Sequence, residues 1–159
     1  MVILAVLVPG PFASAADLGL YGCWQSLHVE ERMTDGHVSH VHNNCVMGFA
    51  RNQVETDCQF PKGGHYASLS RMKLDGEGQI TLSLVSANSI AKQTLKPETI
   101  DYLIEGDYLV LRQSLRSAPD APAATTPIEI TRTLLRVQSL VPSPGKNPRP
   151  ACVARAFRL

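Results

Sequence analysis

The sequence lacks the motifs that identify the common enzyme classes. It contains no Gly-x-Ser-x-Gly elbow, no glycine-rich phosphate loop ending in Lys-Ser or Lys-Thr, no His-Glu-x-x-His and no aspartate-rich calcium loop. Each of these patterns sets a nucleophile, a phosphate-binding backbone or a group of metal ligands at a fixed spacing. Because none is present, and no pair of carboxylates is singled out, we expect a protein that is not an enzyme.

The chain also lacks an excess of charge of either sign. The Lys and Arg residues number 15 and the Asp and Glu residues 14, so the formal net charge is +1. Proteins that follow the phosphate backbone of a nucleic acid need a basic surface, which this composition does not supply. We therefore expect no nucleic-acid partner.

Long apolar runs are missing as well, since the run at 2–8 falls well short of the roughly 20 residues that cross a bilayer as a helix. Pro9, Gly10 and Pro11 interrupt it, and the small residues at 13–15 are typical of a signal-peptidase site. No Lys or Arg precedes the run, which leaves a buried N-terminal strand as the alternative. The pattern predicts a signal peptide at 1–15, one domain at 16–159, no membrane span, and a secreted or periplasmic protein.

The four cysteines contain no Cys-x-x-Cys pair, which removes the support for a redox motif or a zinc ribbon. An even number of cysteines in an exported chain indicates disulfides, and four cysteines allow three connectivities. We favour Cys45–Cys58, because these residues are close in sequence, and Cys23–Cys152, because this bond would tie the first strand to the last.

Almost everything after Tyr21 has the pattern of strands and turns, and no repeat, coiled coil or long amphipathic helix is present. About eight strands joined mostly by short connections predict an all-β fold, an antiparallel meander barrel, with a β-sandwich as the alternative. The segment expected to close the barrel against the first strand is 152–159. The predicted strands are 23–33, 38–42, a strand pair or one long bent strand within 45–58, 65–74, 79–85, the hairpin 99–113, 128–138 and 152–159.

The hairpin at 99–113 carries the clearest pattern. A two-residue turn at Gly106-Asp107 would set Ile104 opposite Leu109 and Tyr102 opposite Leu111, so both strands present one apolar face on the same side. We expect this face to point into the barrel, where Tyr102, Ile104, Leu109 and Leu111 would line a ligand site.

Three histidines lie close together in the segment His-Val-Ser-His-Val-His at 37–42. If Asp35-Gly36 forms a two-residue hairpin turn, Glu31 faces His40, and alternation puts His42 on the same face and His37 on the other. Two imidazoles and a carboxylate form a partial ligand set for Zn²⁺ or Cu²⁺. The alternative is a polar hairpin face that contacts only solvent.

Gly22 and Trp24 at the start of the first strand, with Arg155 near the C-terminus, resemble the lipocalin (calycin) pattern of a Gly-x-Trp and a basic residue that covers the indole. The meander order of the strands is also similar to lipocalin-like domains of exported bacterial proteins. The resemblance implies that Trp24 closes the base of a barrel under Arg155, and that the barrel binds a small molecule.

Three functions are compatible with these observations. The first is an exported barrel that binds a small apolar or amphipathic molecule. The second is a periplasmic metal-binding protein that uses the 37–42 segment. The third is an inhibitor or interaction module whose loops at 114–127 or 142–150 contact a secreted protein partner.

Overall fold

The computed structural model describes residues 19–88, 96–115 and 127–138 together with Cys152. The expected signal peptide at 1–15 lies outside the described residues. No helix within the described ranges has the length and apolarity that crossing a membrane requires. The described residues contain the strands β1 (Gly22–Met33), β2 (Val38–Val41), β3 (Asn44–Ala50), β4 (Gln53–Gln59), β5 (His65–Gly76), β6 (Gln79–Ala87), β7 (Glu98–Glu105), β8 (Tyr108–Ser114) and β9 (Pro127–Gln138).

The strands form one antiparallel sheet that closes on itself. From β3 to β9 each strand pairs with the next in chain order, β3 also pairs with the first part of β1, and β9 pairs with β1 along almost its whole length. Eight strands therefore complete the barrel, and β2 is an additional strand that pairs with the last part of β1. The predicted antiparallel meander barrel is confirmed, and the sandwich alternative is wrong.

The strand that closes the barrel is β9. We expected residues 152–159 to pair with the first strand, but β9 pairs with β1 from Cys23 to Met33 and with β8 on its other side. A twelve-residue strand is long enough to match β1, which has the same length. Residues 153–159 lie outside the described residues.

Both predicted disulfides are present. Cys45 and Cys58 lie directly opposite each other on β3 and β4, and Cys23 of β1 is bonded to Cys152 across 129 residues of sequence. The described part of the chain contains no free cysteine. The second bond attaches Cys152 to β1, the strand against which β9 closes the barrel.

The apolar core fills the end of the barrel at which β1 begins. Antiparallel order brings the starts of β1, β4, β6 and β8 to this end, together with the ends of β3, β5, β7 and β9. Burying large side chains there contributes about 1.5–3 kcal/mol each. The largest buried side chains are Trp24, Phe49, Leu20, Ile80, Leu109, Leu111, Leu134 and Val54.

Trp24 lies at the base of this core, as its place in the Gly-x-Trp pattern implied. Its indole Nε1 donates a hydrogen bond to the carbonyl oxygen of Leu20 at 2.9 Å, and the guanidinium of Arg136 lies 4.1 Å from its ring centre. Arg136 also donates to the carbonyl oxygen of Gly19 at 2.6 Å. The expected covering residue, Arg155, lies outside the described residues, and in the described structure a β9 arginine has that position.

The β7–β8 hairpin has the predicted register. Ile104 pairs with Leu109 and Tyr102 with Leu111 across a turn at Gly106 and Asp107. Gly106 has a positive φ of 60°, which the two-residue hairpin turn requires and which glycine adopts without strain.

The β1–β2 hairpin does not have the predicted register. Its loop contains Thr34, Asp35 and Gly36, so Glu30 rather than Glu31 lies opposite His40. The side chain of Asp35 accepts a hydrogen bond from the His37 amide at 2.8 Å, and Gly36 has a φ of 85°. A turn followed by a left-handed glycine is the usual three-residue hairpin loop, and this loop shifts β2 by one residue. The prediction of a two-residue Asp35-Gly36 turn was wrong.

Candidate functional site

The interior of the barrel opens into a cavity at the end opposite the core. Its volume is about 300 Å³, and both apolar and polar side chains line it. Most strands of the barrel contribute to its wall, because inward-pointing residues alternate along every strand. The lining residues are Ser26, Asn43, Cys45, Met47, Thr56, Cys58, Phe60, Tyr66, Ser68, Ser70, Leu82, Leu84, Lys96, Glu98, Ile100, Leu111, Gln113, Arg132 and Leu134.

The apolar part of the wall continues from the core. Met47, Ile100, Leu111 and Leu134 are buried and line the cavity floor, and the Cys45–Cys58 disulfide crosses its side. These side chains offer an incoming apolar group a surface from which water is easily displaced.

Arg132 supplies the cavity with a charged group. Its Nη1 donates a hydrogen bond to Oε1 of Gln113 at 3.4 Å, and Gln113 is itself only 7% exposed. Burial lowers the pKa of the Arg132 guanidinium, while the negative charges of Glu98 and Glu31 favour its charged form. An arginine keeps its proton in proteins, so the cavity contains a permanent positive charge.

Most hydrogen-bond donors of the Arg132 guanidinium have no partner among the described residues. A guanidinium carries five N–H donors, and within the described ranges no carboxylate lies within ion-pair distance of it. The hydrogen bond to Gln113 is the one side-chain contact of Arg132 found among the described residues. A half-buried cation whose remaining donors have no partner among the described residues favours a ligand that brings hydrogen-bond acceptors.

Of the four residues expected to line a ligand site, the structure places Leu111 in the cavity wall. Leu109 and Tyr102 lie in the core below the cavity, and Ile104 packs against that core. Sequence reasoning missed Gln113 and Arg132. The available signal was alternation, because Gln113 follows Leu109 and Leu111 on the inward side of β8, and Arg132 precedes Leu134 on the inward side of β9.

A cluster of metal-binding residue types lies on the outer face of β1 and β2. The Nε2 atom of His28 is 2.9 Å from Oε1 of Glu30 and 3.2 Å from Nδ1 of His40. The remaining distance, from His40 Nδ1 to Glu30 Oε1, is 3.8 Å. A hydrogen bond from His28 lowers the pKa of Glu30. Desolvation of the carboxylate opposes this hydrogen bond with a smaller effect, and the positive charges of nearby residues lower the pKa further.

The predicted trio of Glu31, His40 and His42 is not brought together. Glu31 lies opposite Ser39, and its charge acts on Arg132. His42 follows the end of β2, in the break before β3 begins. Within the described part of the chain, the group of three ligand-type side chains that could hold an ion is His28, Glu30 and His40. The predicted trio was wrong because the three-residue loop places Glu30, and not Glu31, opposite His40.

A third polar cluster joins β4, β5 and the residue after β6. His65 Nε2 lies 3.0 Å from Oδ2 of the buried Asp57, and Asn88 Nδ2 donates to the carbonyl oxygen of His65 at 3.0 Å. In the described ranges no hydroxyl or thiol group is hydrogen-bonded to this imidazole. The cluster attaches the beginning of β5 to its neighbours.

The described strands therefore define an antiparallel barrel with a small cavity at one end, lined by apolar side chains and by Arg132. No protein-family model matches the chain, and no curated protein sequence matches it. Among solved structures it is similar to a lipocalin-like protein from Bacteroides uniformis, at 15% sequence identity and a TM-score of 0.48 over 74% of this chain and 97% of the other. The likeness is a weak one of fold, so the function has to be inferred from this chain's own residues.

The loops considered for contact with a protein partner fall largely outside the described structure. Residues 116–126 and 139–151 are not described, and they include nearly all of the 114–127 loop and the whole of 142–150.

Proposed function

We propose that this protein is an exported binding protein that holds a small amphipathic molecule inside its barrel. The observation that carries the proposal is Arg132, a half-buried cation beside an apolar cavity floor, whose remaining donors have no partner among the described residues. An apolar ligand would leave those donors without acceptors, and a fully polar ligand would gain nothing from Met47, Ile100 and Leu111.

The proposal assigns the two parts of the ligand to two parts of the cavity. The apolar part packs against Met47, Ile100 and Leu111, and the polar head accepts hydrogen bonds from Arg132. The carboxylates of Glu98 and Glu31 already offset part of the arginine charge. The cavity volume of about 300 Å³ lies at the small end of the usual range for ligand pockets. We therefore expect a compact ligand rather than a long-chain lipid.

Export is part of the proposal. Two disulfides are consistent with an extracytoplasmic protein, because thiols in the cytosol are kept reduced. We place the protein in the periplasm or the extracellular medium. Binding without catalysis is also proposed, and chemical turnover of the captured molecule would contradict it.

The test uses an amphipathic fluorescent probe, anilinonaphthalene sulfonate, titrated into the folded protein. We expect saturable binding with one site per barrel, because the cavity offers an apolar floor and a cation for the sulfonate. Arg132→Met should weaken binding roughly tenfold to hundredfold, as expected for loss of a charge-assisted hydrogen bond.

Arg112→Met is the matched control. Arg112 is an exposed arginine of β8, directly opposite Asp101 on β7. Its replacement should leave the affinity for the probe unchanged, and circular dichroism should show that both variants are folded. Equal losses in the two variants, or no saturable binding by the native protein, would refute the proposal.

A further inference from the structure

The outer face of the β1–β2 hairpin holds three side chains whose ligand atoms converge on one point. Glu30 lies directly opposite His40 in the antiparallel pairing, and His28 is two residues from Glu30 on β1, so all three share one face. Their side chains are 45%, 42% and 55% exposed for His28, Glu30 and His40. The site is therefore open to an ion from solvent.

The spacing of the ligand atoms matches that of a tetrahedral ion. Bonds of about 2.0–2.1 Å at tetrahedral angles put neighbouring ligand atoms about 3.3 Å apart. The three distances in the cluster are 2.9, 3.2 and 3.8 Å, which bracket that value. Small side-chain rotations suffice to make them equal, because the backbone positions are already fixed by the sheet.

The arrangement of nitrogen and oxygen atoms in the cluster also favours an ion. His28 Nε2 faces both His40 Nδ1 and Glu30 Oε1, and the two imidazole ring centres are 4.9 Å apart. A nitrogen of the triangle that carries no proton faces the lone pair of a neighbouring atom, unless that neighbour donates a hydrogen bond to it. One cation at the centre interacts favourably with all three lone pairs at once.

We propose that His28, Glu30 and His40 bind one Zn²⁺ ion, with water in the remaining coordination position. Two imidazoles and one carboxylate are a common protein ligand set for zinc, whereas Mg²⁺ prefers oxygen ligands only. The site is separate from the cavity, since its side chains point to the outside of the barrel. It does not depend on the function proposed for the interior.

The test is isothermal titration calorimetry on tag-free, full-length protein that has been dialysed against EDTA. Native protein should bind one equivalent of Zn²⁺ and should not bind Mg²⁺ at the same concentrations. His28→Ala and His40→Ala should each weaken zinc binding roughly tenfold or more, since even the loss of an outer-shell partner costs a site about that much. Stoichiometric Zn²⁺ should also raise the Tm of the native protein and not of these variants.

His37→Ala and His42→Ala are the matched controls, because both histidines are exposed and lie in the same segment without entering the triangle. Their affinity for Zn²⁺ should equal that of the native protein. If either control weakens binding as much as His40→Ala, the ion is held by a different set of ligands and the proposal is wrong. Absence of zinc binding by the native protein would overturn it as well.

Discussion

The two hairpins β7–β8 and β1–β2 have similar turn sequences, Gly-Asp and Asp-Gly, yet the predicted register is right for one and wrong for the other. In β7–β8, an apolar residue stands at every second position of both strands, and a single register puts this set on the inner face: Ile100, Tyr102, Ile104, Leu109 and Leu111. In β1–β2, polar and apolar residues are mixed where the two strands pair: Val29 to Arg32 on β1 and Val38 to Val41 on β2. A shift of one residue there exposes no row of apolar side chains.

The difference shows what determines a register. Because side chains alternate with a period of two, a slip by one residue exchanges the inner and outer faces, and the cost of the slip depends on how apolar one face is. Where that cost is high, as at Leu109, the sequence determines the pairing. Where it is low, as at His40, the loop decides, and Asp35 and Gly36 stabilise a loop of three residues.

The largest effect that would test this comparison is a substitution on the inner face of β7–β8. Leu109 is fully buried, so Leu109→Ala should lower the free energy of unfolding by about 2–5 kcal/mol through lost burial and a residual cavity. Leu103, on the outer face of β7, is 54% exposed, and Leu103→Ala should cost clearly less. Urea denaturation of both variants measures the difference. Equal costs would mean that the apolar face does not determine the register.

A smaller effect compares the glycines of the two turns. Gly106 and Gly36 both have a positive φ, and a Cβ added at either would meet no atom within 4 Å, so alanine is disfavoured only by the backbone conformation. Each strain is about 1 kcal/mol. Gly106→Ala should lower global stability by that amount, because its strands belong to the barrel.

Gly36→Ala should instead act mostly on the local opening of β2. Among the described strands it pairs only with β1, and two of its four residues are exposed. Hydrogen exchange should therefore show faster exchange of the β2 amides with a smaller change in the global free energy of unfolding. A full global loss at Gly36 would show that β2 unfolds together with the barrel.

The parts of the molecule that could be predicted from the sequence are those determined by local patterns. The strands, both disulfides and the β7–β8 register follow from alternation, turn residues and an even number of cysteines. The closing strand was assigned to 152–159 rather than 127–138, because local patterns do not say which distant strands pair. Arg136 over Trp24 depends on that long-range pairing, and so could not be found in the local sequence.

The two candidate sites differ in the same way. For the cavity, Gln113 lies two residues after Leu111 and therefore on the same inward face of β8. The sequence thus already showed a polar residue on an apolar face. For the outer cluster, the local sequence gives no reason to group His28 with the 37–42 segment, because the two are distant in the chain. Its contact with His40 appears only once the loop length fixes which residues of β1 and β2 are opposite.

The smallest effect concerns a third hairpin, β5–β6, where the pairing is irregular between Leu74 and Gly76. The carboxylate of Asp75 lies at this irregularity. It is 2.7 Å from Lys73 Nζ and accepts a hydrogen bond from the Thr81 hydroxyl, and these contacts hold the pKa of Asp75 below its usual value of 3.8.

Because the pKa of Asp75 is lower in the folded than in the unfolded protein, its contacts stabilise the fold above the unfolded pKa, and this stabilisation is lost as the pH falls through the folded pKa. Asp75→Asn should therefore lower the Tm slightly at pH 7, and the difference from the native protein should shrink toward pH 3. If polar contacts do not determine a register, the pairing of Ile80 with Leu74 should survive in the variant. If amide NMR shows a changed β5–β6 pairing, the side chain of Asp75 helps to determine the register, as Asp35 does in the β1–β2 loop. The conclusion that an apolar face determines the register would then hold only for hairpins that lack such a side chain.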